Sequence, residues 1–76
     1  MIEHTAPEPV YRQLAAIIRT RITSGEYPPR TAIPPITALA AEHQLAPMTV
    51  RHAIHVLVDE GLLTTVSGKG TFVVGH

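Results

Sequence analysis

The 76-residue chain has no cysteine and no tryptophan, and only 4% of its residues are aromatic. Without thiols it forms neither disulfides nor thiolate metal sites, so packing alone must hold the fold, and a reducing compartment suits it. Few aromatics within a hydrophobic content of 45% mean an aliphatic core rather than a disordered tail. No apolar run approaches the ~20 residues of a membrane helix, and no basic region leads into an apolar stretch at the N-terminus. The expected setting is therefore the cytoplasm, with no membrane partner. Charge of either sign is also missing in excess. Six Lys/Arg offset six Asp/Glu, and five histidines hold positive charge in reserve. A polyanion would have to be held by few cations per molecule, which makes pairing of molecules relevant to affinity.

The residues that chemistry would need are absent too. There is no Ser beside an evident base, no phosphate-cradling Gly-Lys-Ser/Thr loop, and no pair of carboxylates facing a pocket. Gly68-Lys69-Gly70 is too short for a nucleotide loop. The chain reads as a non-enzyme without cofactor, and no effector site is visible. His52, His55 and Asp59 share a helical face at a spacing that could reach a metal, but exposed histidines without thiolates seldom do so, and no metal is expected.

What is present is an ordered set of patterns. Residues 1–8 lack periodicity and read as a flexible N-terminal arm, leaving 9–76 as one domain. Pro9 suits a first helical turn, and Val10, Leu14, Ile17 or Ile18, and Ile22 recur at helical spacing until Ser24-Gly25. This first helix should pack across the other two. Thr31-Ala32-Ile33 could add one short strand. A second helix starts weakly near Pro34-Pro35, with no capping oxygen, and buries Ile36, Leu39 and Ala40. After a break at His43-Gln44-Leu45, with Leu45 plugging the angle, a third helix runs from Ala46-Pro47 to about Glu60. Val50, Ala53, Ile54 and Leu57 form its core face. Gly61 stops it in a left-handed turn, and the β-rich runs Leu62–Val66 and Thr71–Val74 reverse through Ser67-Gly68-Lys69-Gly70. The predicted fold is mainly α with a small β-hairpin: a winged helix-turn-helix of three helices plus a wing.

That order presents one helix and one loop to a DNA duplex. The exposed positions near the start of the third helix are Met48, Thr49, Arg51, His52 and His55. Methionine can meet a thymine methyl, threonine and histidine can reach base edges or phosphate, and Arg51 on the flank suits a phosphate. Each could equally be part of an ordinary solvated face; their place in the helix-turn-helix order argues for contact. Lys69 at the wing tip can reach a phosphate or the minor groove, and Gly70 beside it permits close backbone approach. Zero net charge and the apolar candidates Met48, Val56 and Val66 support an alternative, a winged helix that binds protein.

The chain resembles the GntR family of bacterial transcription regulators over about residues 9–74. The resemblance lies in Pro9-Val10-Tyr11-Arg12-Gln13-Leu14, Ile22-Thr23-Ser24-Gly25-Glu26, Ile33-Pro34 with Leu39-Ala40, Thr49-Val50-Arg51-His52-Ala53-Ile54, and Asp59-Glu60-Gly61-Leu62-Leu63 leading to Gly68-Lys69-Gly70-Thr71-Phe72-Val73. It implies a DNA-binding domain at the head of a longer regulator, binding a near-palindromic double-stranded DNA operator as a dimer. Thr49, Arg51 and Lys69 match residues the family uses on DNA. Thr37 stands where the family has an arginine that commonly contacts DNA, and Pro47, Met48 and His52 replace an arginine, a threonine and an arginine. Ala32 and Thr65-Val66 replace further basic residues. The departures leave fewer phosphate contacts than the family usually makes. With few cations per molecule and no strong leucine stripe beyond what the core consumes, the expectation is a monomer or weak homodimer in free solution that pairs mainly on DNA.

Overall fold

The apolar stripes fold as their spacing requires. In the computed structural model, which describes residues 2–75, helix α1 spans Val10–Thr23 and buries Leu14, Ala15 and Ile18. Ile18 is the core member of the Ile17/Ile18 pair; Ile17 is only half-buried. Helix α2 spans Ile36–His43, with Leu39 and Ala40 buried and Ile36 half-buried against the core. Helix α3 spans Pro47–Asp59 and buries Val50, Ala53, Ile54 and Leu57. None of the three helices has a side-chain N-cap hydrogen bond.

The breaks follow from backbone chemistry. Gln44 takes the left-handed conformation (φ 56°, ψ 49°), and the next amide, Leu45, donates to the Ala40 carbonyl at 2.9 Å. This closes α2 and turns Leu45 toward the core, which it partly enters. Gly61, at φ +80°, ends α3 in the same way, with Leu62 N–H donating to Leu57 O at 3.0 Å.

Strands β1 (Leu63–Val66) and β2 (Gly70–Val73) pair antiparallel, with Leu63 opposite Val73 and Val66 opposite Gly70. Leu63 and Val73, at the base, enter the core; the tip projects into solvent. The expected strand at residues 31–33 shrinks to a single bridge, Ala32 to Phe72. Ile33 N–H still donates to Thr71 O at 2.9 Å, but Pro34 and Pro35 then offer no further donors.

Four features differ from the expectation. Helix α1 lies chiefly along α3 rather than across both partners, and an ion pair between Arg21 and Glu42 links it to α2. Val56 is not an exposed apolar residue: it is half-buried against the core and shares a cleft with Ala15 and Ala16 of α1. The segment before α1 also makes defined contacts. Ile2 packs on the core, and the Gln13 side chain accepts from Glu3 N–H at 2.6 Å while donating to Glu3 O and Glu8 O at 2.7 and 2.9 Å. Tyr27, not anticipated as a core residue, is buried, and its hydroxyl accepts from Arg21 Nη1 at 2.7 Å.

Ion pairs brace the helices. Arg19 holds Glu60 through two hydrogen bonds of 2.9 and 2.6 Å, tying α1 to the end of α3. The guanidinium hydrogen bonds keep both Glu42 and Glu60 below the usual carboxylate range, against a smaller opposing effect of burial. A carboxyl with a lowered folded pKa adds stability that is complete above its unfolded value of ~4.3 and is lost as pH falls through the folded one. Glu42→Gln is therefore expected to lower stability near neutrality by at most about 1 kcal/mol, since the pair is largely exposed. Thermal melts of variant and wild type should converge only at acid pH below the lowered folded pKa of Glu42, where the wild-type carboxyl is protonated in both the folded and the unfolded state.

Candidate nucleic-acid interface

Helix α3 is fixed by one face, and this determines what the other presents. With Val50, Ala53, Ile54 and Leu57 locked inward, Arg51, His52, His55 and Asp59 are exposed, Met48 is 68% exposed, and Thr49 is half-buried. Pro47 occupies the first helical turn.

The wing stands at the other end of the hairpin. Val66 O accepts from Lys69 N–H at 3.0 Å, closing a turn with Ser67 and Gly68 at its centre. Gly68 has φ +76° and Gly70 φ +122°, backbone positions that a side chain would strain. Lys69, between them, is exposed.

Thr37, Lys69 and Gly70, far apart in sequence, line one open cleft of about 470 Å³ between the start of α2 and the wing. The first-turn amides of Ile36, Thr37 and Ala38 have no hydrogen-bond partner among the described residues, and no side chain caps them. Such amides and a nearby ammonium suit an anion. His52 has a neighbour the sequence did not reveal: its ring stacks on Tyr11 of α1, with centroids 4.6 Å apart. His52, His55 and Asp59 do not close into a metal site; among the described residues no group of three or more His, Cys, Asp or Glu could hold one.

Electrostatics resolve the neutral net charge. Arg19 is paired with Glu60, and Arg21 with Glu42 and, at 3.6 Å, Glu26. Arg51 and Lys69 have no ion-pair partner among the described residues. The signal was available in the sequence as a distribution rather than a sum. No acid occurs between Glu42 and Asp59, and none follows Glu60. The body of α3 and the whole wing therefore carry cations and histidines only. Of the apolar residues that favoured a protein-binding surface, Val56 is partly withdrawn into the core, leaving Met48 and Val66 as the exposed large hydrophobics. No helix among the described residues is long and apolar enough to cross a membrane.

Comparison with known proteins agrees with this geometry. The model of the family described as bacterial regulatory proteins, gntR family, matches residues 10–73. The chain is 41% identical over 66 residues to the mannosyl-D-glycerate transport/metabolism system repressor MngR of Escherichia coli, covering 87% of this chain and 28% of that protein. It is 39% identical over 72 residues to the transcriptional repressor NagR of Bacillus subtilis, covering 95% of this chain and 30% of that protein. It thus spans under a third of the length of these relatives. Among solved structures, it resembles the AraR DNA-binding domain in complex with operator ORX1, with a TM-score of 0.88 and 33% identity, covering 97% of this chain and 95% of that one.

Proposed function

The chain belongs to the GntR family of bacterial regulatory proteins and forms that family's winged helix-turn-helix DNA-binding domain, and on that premise we propose that it represses transcription by occupying a double-stranded operator. In this reading α3 enters the major groove. Met48, Thr49, His52 and His55 meet base edges, and Arg51 holds a phosphate from the flank. Lys69 and Gly70 bring the wing to the backbone or minor groove, and Thr37 with the free amides of α2 meets a second phosphate. The observation that carries the reading is the segregation of charge: the acids are drawn into ion pairs along α1 or lie outside the acid-free helix body and wing.

Selection from a random duplex library at low salt tests it. Enrichment of a near-palindromic site is the expected result; a folded domain that enriches nothing would sink the claim. With Arg51 and Lys69 the only Lys/Arg on α3 and the wing, the logarithm of affinity should fall with that of salt at a slope of only about −2 to −3 per monomer.

The same scarcity of cations makes two half-sites necessary for tight binding. The stripe of α1 is consumed by the core, and no comparable apolar stripe is left exposed among the described residues. This segment should sediment as a monomer or weak dimer at micromolar concentration and pair on DNA. A dimer that survives dilution would contradict this.

A further inference from the structure

We infer that Tyr11 of α1 is a positioning residue for DNA recognition, holding the His52 imidazole of α3 in the orientation in which it meets a base. This rests on the reading of α3 as the DNA-facing helix and extends the recognition apparatus to a residue outside the helix-turn-helix. The two rings lie 4.6 Å apart between centroids with planes inclined by 28°, a stacked arrangement in van der Waals contact. Stacking covers one face of the imidazole and leaves Nδ1 and Nε2 on its edge. No hydrogen bond engages either nitrogen among the described residues. His52 is exposed, so this edge remains available to a donor or acceptor from outside.

Tyr11 is the anchored member of the pair. It is half-buried and packs on the core, and the Arg12 guanidinium carbon lies 5.6 Å from its ring centre. Its position is therefore set by the packing of α1 along α3. An exposed histidine on a bare helix would sample several rotamers and lose that freedom on binding; a stacked one has lost it already. Removing that ordering cost is worth roughly twofold to tenfold in affinity for the contacted base. His55, exposed on the same helix, stacks on no aromatic ring among the described residues.

The test compares wild type with Tyr11→Phe, Tyr11→Leu, His52→Ala and the Tyr11→Leu/His52→Ala double variant. Each is titrated with the selected duplex and with duplexes changed at single base pairs. Tyr11→Phe keeps the stack and should keep the base preference. Tyr11→Leu keeps apolar bulk but should lose discrimination, roughly twofold to tenfold, at the base pair where His52→Ala loses it and nowhere else. The double variant should match His52→Ala alone. In the free protein, the His52 ring protons should be shifted upfield by the tyrosine ring current, in wild type and Tyr11→Phe but not in Tyr11→Leu. A uniform loss on all duplexes with preference retained, or unshifted His52 protons in wild type, would overturn the inference. If the shift is present but wild type selects no duplex, the operator reading fails and the stack is a packing contact only. The Phe variant provides a folded comparison should Tyr11→Leu melt.

Discussion

Arg51→Ala is expected to weaken binding to the selected operator and to unrelated duplexes by a similar factor, about tenfold, with the fold unchanged. The side chain is exposed on the flank of α3 and has no acidic partner among the described residues, so its charge is not used to hold the domain together. A charge-assisted contact with phosphate oxygens is stronger than a neutral hydrogen bond, and its loss reaches every sequence alike because phosphates carry no base information. The salt slope should also shrink by about one. Fluorescence titrations at several salt concentrations, with circular dichroism to confirm the fold, measure both effects. Loss confined to the operator would make Arg51 a base reader and move it toward the centre of the groove.

Leu57→Ala is expected to lower stability by about 2–5 kcal/mol, the range for removing a fully buried leucine. Leu57 is completely inaccessible, on the face of α3 that packs against α1, where Leu14 and Ile18 are equally inaccessible. A domain of this length has a total stability on the order of 4–11 kcal/mol, so the variant would lose much of it and melt some 10–30 °C lower. Met48→Ala on the opposite face should change stability by less than about 0.5 kcal/mol, because that side chain is 68% exposed. Thermal melts of the two variants side by side check the orientation of α3. Equal destabilisation would mean that the helix is turned about its axis.

The individual elements were legible in the sequence. Val50, Ala53, Ile54 and Leu57 recur at a period that one helix face satisfies, and all four are buried. Gly61 marks the end of α3 because a left-handed residue there is favoured in glycine, and Ser67-Gly68-Lys69-Gly70 marks the hairpin turn for a similar reason. These are properties of a few consecutive residues, so local sequence determines them. The placement of Arg51, His52, His55 and Met48 on the exposed face of α3 follows from the same periodicity, as does the exposed Lys69 from its turn.

What joins one element to another was decided by the tertiary structure. Arg19 meets Glu60 and Arg21 meets Glu42 across gaps of 41 and 21 residues, and no periodicity links such positions. Their meeting depends on the line along which α1 lies on α3, which the sum of side-chain shapes fixes. The same line half-buries Val56 and brings Tyr11 against His52. Tyr27 could be read as buried only once the chain after α1 had folded back beneath it. Composition fixed the charge total at zero, while packing decided its distribution, because a salt bridge forms where two helices place opposite charges within reach. Sequence determined which faces are apolar; only the packing of those faces determined which cations were left for DNA.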